Sequence, residues 1–223
     1  MFTTEAGTVL VLRSSDSDRR SHGGFQWPES GFVEAPDWDP NPDTACGEGL
    51  HGLLWGQGDI SLTSPEIPGR TWQIVEVEPA DIADPDAFDK IRFRRGTVIL
   101  STSDHSEAAT LLASHNPPFP LPFLTSTAGD SGTAVAGDRG TATAGDRGTA
   151  VAGDYGTATA GDYGTATAGY RGTAAAGDSG TLVIQLWDVD MCRYRLTVAY
   201  VGEGGILPNT PYRLDDNGKP VPA

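Results

Sequence analysis

Only two cysteines, Cys46 and Cys192, occur in the chain, far apart in sequence. Two cannot build a disulfide framework, so packing and hydrogen bonds must hold the fold. Aromatic residues are scarce at 8%, and hydrophobic residues of all kinds reach 38%. Basic side chains are outnumbered, 15 Lys and Arg against 30 Asp and Glu, for a net charge of −15. A field of that sign repels phosphate backbones and anionic lipid headgroups, so neither nucleic acid nor a membrane is an expected partner. No apolar run approaches the ~20 residues of a membrane-spanning helix. The amino-terminal region has no basic segment, and its apolar stretch from Thr8 to Leu12 is too short for a signal core. The expected location is the cytoplasm. Phosphate-binding loops and the HExxH and GxSxG signatures are also missing. The sequence therefore points away from an enzyme and calls for no cofactor or metal.

What the chain has in abundance is glycine, 29 residues, and much of it is periodic. Residues 128–183 are seven tandem octapeptides, each a Gly-Asp-x-Gly turn followed by a short extended Thr-Ala-x-Ala piece. Tyr170 replaces the usual Asp in one unit. Eight residues give one side and one corner, which cannot enclose a core. Two octads give a coil of two strands and two corners, and the array then rises roughly 17 Å at about 4.8 Å per coil. The fourth position holds Ser, Arg or Tyr and must face solvent. Strand alternation sends the sixth and eighth positions outward and the alanines at the seventh and first inward. Glycine is expected to supply unusual corner angles, and Asp to bond nearby amides.

Outside the array, Thr8–Leu12, Thr71–Glu78, and the IRF and TVILST segments between Lys90 and Thr102 read as strands. Residues 25–45, rich in Pro and Asp, favour irregular structure. Ser106–Ser114 reads as a helix capped by Ser103 or Asp104. Thr181–Leu186 and Tyr194–Val201 form a terminal hairpin in this reading. The fold class is mainly β: a β-rich domain with one helix at 1–116, a Pro-rich linker at 117–127, a two-sided β-solenoid at 128–183 and a hairpin cap at 184–223.

The stretch from Cys46 to Gly56 (CGEGLHGLLWG), the WQIVEVE and FRRGTVI segments, the GDxGTATA repeats and the ending YVGEGGILPNTPYRLDDNGK resemble a bacterial and phage family. In that family a small N-terminal domain precedes octapeptide repeats. The resemblance implies an architecture and brings no activity.

Cys46 and His51 are the sharpest chemical candidates, five residues apart. A thiol and an imidazole at that spacing suit a nucleophile with its base, half a zinc site, or a packed turn. The last fits the surrounding glycines best. The GDSG motifs at 129–132 and 177–180 look like a protease nucleophile but put Ser at the variable fourth position, so they are by-products of the repeat. The Asp ladder has one carboxylate per corner and an eight-residue period, which suits corner capping better than calcium.

The outward Thr and Val columns remain. Val135, Val151, Thr165, Thr167 and Val183, with Thr141, Thr143, Thr157 and Thr159, form flat surfaces suited to packing copies of the chain together. The leading expectation is a homo-oligomer, such as a large ring or stack, with the chain as its own partner. The Thr-x-Thr pairs at 141/143, 157/159 and 165/167 offer an alternative. Such arrays resemble the ice-binding faces of antifreeze proteins. Against it, the pairs divide between two faces and the array is short.

Overall fold

The computed structural model describes the whole chain except residues 22, 42–47, 65–66 and 88. Two compact units divide it, Met1–Phe119 and Pro120–Ala223.

The first unit is built on a six-stranded antiparallel sheet. Its strands are β1 (Val9–Ser15), β2 (Gly31–Glu34), β3 (Leu50–Leu54), β4 (Thr71–Val77), β5 (Ile91–Phe93) and β6 (Arg95–Thr102), in the order β2-β6-β4-β1-β3-β5. Strand β1 runs along the middle and pairs with β4 from Val9↔Val77 to Ser15↔Thr71. It is buried on both sides because VLVL is apolar at successive positions rather than alternate ones. One face packs Val9, Val11, Val75, Val77, Trp27 and Phe93 together. The helix α1 (His105–Ala113) packs against β4 and β6, and Ala108, Ala109 and Leu112 are its buried residues. Asp104 caps it, its carboxylate accepting from the Ser106 amide at 2.8 Å.

Strand β2 falls inside the segment expected to be irregular. Its pairing is long-range, Gly31↔Val98 through Glu34↔Arg95, and a four-residue strand carries too little local pattern to announce itself. Two buried arginines tie the unit together. Arg13 lies 3.5 Å from the centre of the Trp27 ring and donates to Gln73 Oε1 at 2.6 Å. Arg92 of β5 donates to the carbonyls of Asp39, Glu48 and Asn41.

The second unit is the solenoid. Its repeat strands are β7 (Thr125–Ala128), β8 (Thr133–Ala136), β9 (Thr141–Ala144), β10 (Thr149–Ala152), β11 (Thr157–Ala160), β12 (Thr165–Ala168) and β13 (Thr173–Ala176). Four strands close it: β14 (Thr181–Asp188), β15 (Arg193–Tyr200), β16 (Tyr212–Leu214) and β17 (Pro220–Pro222). They sort into two sheets, β15-β14-β12-β10-β8 and β17-β16-β13-β11-β9-β7. Within each sheet the repeat strands are parallel and in register at 16 residues, as in Ala150↔Ala166 and Ala158↔Ala174. One coil is therefore two octads, and the solenoid has about four turns.

The interior is alanine. Ala134, Ala142, Ala150, Ala158 and Ala166 are at most 1% exposed, and the core thickens at the cap with Leu182, Ile184, Val201, Ile206 and Tyr212. The linker expected over 117–127 gives way at Thr125 to strand β7, which pairs with β9 from Thr125↔Thr141 to Ala128↔Ala144. Leu121 and Phe123 ahead of it are buried, and Phe123 donates its amide to the Asp138 carbonyl. This segment extends the solenoid by half a coil where the sequence has no Gly-Asp to mark it.

Corner chemistry departs from expectation in two ways. The left-handed residue in each corner is the variable fourth position, with φ near +56° at Ser131, Arg139, Arg147, Tyr155, Tyr163, Arg171 and Ser179. The repeat glycines do not have positive φ. They are required by closeness: a Cβ on Gly153 would sit 2.7 Å from the Asp138 amide nitrogen, and one on Gly161 2.7 Å from that of Asp146. The aspartates bond forward by a whole coil rather than within their corner. Asp130, Asp138 and Asp146 accept from the amides of Asp146, Asp154 and Asp162 at 3.1, 2.9 and 3.0 Å. Tyr170 still donates its amide to Asp154. One coil beyond it lies Leu186 in β14, where there is no corner amide left for a carboxylate to receive.

Candidate functional site

A Thr-x-Thr strand presents two hydroxyl-and-methyl groups on the same side, because alternate side chains share a face. β-Branching restricts each threonine to few rotamers. In the sheet of β7, β9, β11 and β13, the outward pairs are Thr125/Thr127, Thr141/Thr143, Thr157/Thr159 and Thr173/Ala175. Register stacks them directly: Thr125↔Thr141↔Thr157↔Thr173 in one column, and Thr127↔Thr143↔Thr159↔Ala175 in the other. Three consecutive coils thus carry an unbroken double column of threonine. The columns are about 6.6 Å apart and their members about 4.8 Å apart.

The opposite sheet differs. Strands β8, β10, β12 and β14 present Thr133/Val135, Thr149/Val151, Thr165/Thr167 and Thr181/Val183. Valine holds the second column at all but Thr167. The nine residues expected to form an assembly surface are therefore divided. Val135, Val151, Thr165, Thr167 and Val183 lie on this sheet, and Thr141, Thr143, Thr157 and Thr159 lie on the other. Alternate octads alternate sheets, which is the division between two faces expected from the sequence. Sequence reasoning missed Thr125 and Thr127, the pair that makes the threonine face continuous. Their signal was the bare T-x-T of Thr125-Ser126-Thr127, one coil before Thr141.

Both columns rest on a rigid base. Each corner is pinned to the next coil by the aspartate bond and by backbone bonds such as Ser131 N–H to Asp146 O at 2.7 Å. On the side of the solenoid, Arg139 lies over Tyr155 at 4.6 Å and Tyr155 packs on Tyr170 at 6.1 Å. Tyr170 in turn meets Tyr194 of the cap at 6.2 Å. The stack thus bends toward Tyr170, whose hydroxyl accepts from Arg171 Nε.

His51 is on β3, opposite Arg92 of β5, not in a turn. Burial, and then the positive charges of Lys90 and Arg92, lower its pKa and favour neutral imidazole. Its Nε2 is buried without a hydrogen-bond partner among the described residues. Cys46 lies outside the described residues. Cys192 is exposed in the turn between β14 and β15. Among the described residues no three His, Cys, Asp or Glu side chains converge as metal ligands.

No protein-family model matches the chain, and no solved structure matches it. Curated relatives do. The chain is 35% identical to ice nucleation protein InaU of Pantoea ananas over 91 residues, covering 41% of this chain and 8% of that protein. It is likewise 35% identical to an ice nucleation protein of Pseudomonas syringae, over 41% of this chain and 7% of that one. With an ice nucleation protein of Xanthomonas campestris pv. translucens it shares 34% identity over 109 residues, 49% of this chain and 7% of that protein. These relatives are named for an effect on water rather than for a reaction.

The likeness to ice nucleation proteins overturns the cytoplasmic location expected above. That expectation rested on missing segments. No helix among the described residues is long and apolar enough to cross a membrane, and this alone fixes no compartment. The likeness spans less than a tenth of the length of these relatives.

Proposed function

We propose that the solenoid binds ice through the threonine face of β7, β9, β11 and β13. The observation that carries this is the unbroken double column from Thr125/Thr127 to Thr157/Thr159, in register over three coils. A grid of about 4.8 by 6.6 Å is on the scale of the oxygen–oxygen repeats in ordinary ice. Hydroxyls at its points anchor surface waters by hydrogen bonds. The methyls between them offer those waters no competing partner, so the layer can keep ice-like order. Rigidity matters as much as spacing. An alanine interior brings the two sheets so close that outward side chains cannot rearrange by repacking the core. The relatives named for ice nucleation support the same reading, while the division of Thr and Val between sheets weakens a single mixed packing surface.

Size decides what one copy can do. A critical ice embryo shrinks as supercooling deepens, and a face of three coils is smaller than the embryo that survives at mild supercooling. A single chain is therefore expected to adsorb to existing ice and to seed new ice only in deep supercooling. The test is growth of single ice crystals in a solution of the full chain. Faceted, slowed growth supports the reading. Growth indistinguishable from that in an equal mass of an unrelated acidic protein refutes it.

A further inference from the structure

We infer that two copies of this chain join through strand β15, antiparallel and centred on Thr197, so that their two solenoids lie end to end. Strand β15 is the outer strand of its sheet, paired on one side with β14 over Thr181↔Tyr200 to Asp188↔Arg193. It is eight residues long, contains no proline or lysine, and presents Tyr194, Leu196, Val198 and Tyr200 at 49, 61, 49 and 52% exposure. A long, apolar, unpaired edge strand is a template for another strand, and natural proteins usually blunt one with proline or charge.

The backbone settles which groups are on offer. Val201 donates its amide to Gly180 O at 3.0 Å, so odd-numbered residues point their N–H and C=O toward β14. Even-numbered residues from Tyr194 to Tyr200 point theirs to the open edge, with the Tyr200 carbonyl already accepting from the Glu203 amide. A second β15 run antiparallel about Thr197 sets Tyr194 opposite Tyr200 and Leu196 opposite Val198, with each pair repeated by symmetry. Every such pair consists of residues whose backbone groups face outward, and all four side chains share one face. A shift by one residue would pair outward-facing groups with groups already used, and would set Tyr194 opposite the inward Ala199.

Charge agrees. Arg195 is held by Asp188 on the neighbouring strand, and the antiparallel arrangement puts the two Arg193 side chains at opposite ends of the contact. Most of the chain's acidity is elsewhere: residues 1–125 carry 8 Lys and Arg against 19 Asp and Glu. The symmetry axis stands normal to the sheet, so both threonine faces look to the same side. The proposal thus deepens the ice-binding reading by supplying a larger surface, although the joint itself forms in liquid water.

The experiment uses the full chain with Cys46→Ser and Cys192→Ser, examined by sedimentation velocity over a range of concentrations. The expected species at high micromolar concentration has twice the 23.3 kDa mass of one chain and dissociates on dilution. Val198→Pro removes an edge N–H that no internal bond uses. It should weaken the dimer at least tenfold and leave the circular dichroism spectrum unchanged. Thr197→Cys should form a covalent dimer on mild oxidation, because that residue faces its own copy. Leu196→Cys should not, since its own copy lies beyond disulfide reach. A monomer at every concentration overturns the proposal, as does a dimer indifferent to Val198→Pro or crosslinked by Leu196→Cys alone. A monomer that still shapes ice leaves the ice reading intact. A dimer with no effect on ice removes that reading and keeps the joint.

Discussion

Replacing Thr143 and Thr159 together by lysine separates the two faces of the solenoid cleanly. Both side chains stand outward in the middle of the same column, above neighbours that are in register. A lysine ammonium extends about 4 Å beyond the threonine methyl it replaces. That exceeds the ~2.8 Å of one hydrogen-bonded water contact, so the substituted strands hold ice off the whole face. At least a tenfold loss of ice affinity is expected, about 1.4 kcal/mol. Folding should hardly change, within about 0.5 kcal/mol, because neither side chain touches the alanine core. The control is Val135→Lys with Val151→Lys, which adds the same charge on the opposite sheet. The assay compares growth rates of single ice crystals across the two double variants and records thermal unfolding of both. Equal losses in the two variants, or none in the threonine pair, would refute the assignment of the ice face.

Gly153→Ala should lower stability by about 1–3 kcal/mol, since its Cβ would fall 2.7 Å from the Asp138 amide nitrogen; calorimetric melting reads this directly. Asp146→Asn should melt close to the parent because an amide oxygen can still accept from the Asp162 N–H. Asp146→Ala leaves that donor to water, costs about 1 kcal/mol and lowers the melting temperature by roughly 2–4 °C; added calcium should rescue neither variant. His51 is held neutral by burial, so its folded pKa lies below the unfolded value of 6.5. The unfolded chain then binds the extra proton as pH falls through 6.5, and stability drops in that window while staying flat above it. His51→Gln should abolish this loss in denaturant titrations between pH 7 and 5.

The solenoid was legible because its variation is phased: Ser, Arg and Tyr at one position and alanine at two others fix inside and outside without any coordinates. The 16-residue coil followed from closure alone. What escaped were features that depend on neighbours a coil away. Thr125 and Thr127 lack the Gly-Asp corner that marks every later strand, yet β9 recruits them by backbone pairing. Glycine was assigned to the corner for its backbone freedom, whereas stacking at 16 residues forbids a Cβ there and leaves the left-handed angle to Arg139 or Tyr155. In the first unit, β1 was visible as an apolar run, β4 and β6 as strand-forming segments, and the helix by its N-terminal cap. His51 was placed in a turn because glycines surround it, but Gly52 is there for the strand: its Cβ would meet the Leu12 carbonyl at 2.9 Å.

The equivalence of the two half-coils has a consequence for how such a chain can change by descent. Both sheets obey the same octad rule, and β14, β15 and β16 take their partners from the last coil only. Tandem duplications arise readily when copying slips along repetitive DNA. A slip of two octads lengthens the array and keeps every strand on its side. A slip of one also leaves all stacking intact, but every later strand moves to the opposite side, trading Thr-x-Thr for Thr-x-Val surfaces downstream. The parity of the repeat count therefore acts as an inherited setting of surface chemistry, adjustable without any substitution and with little penalty in folding.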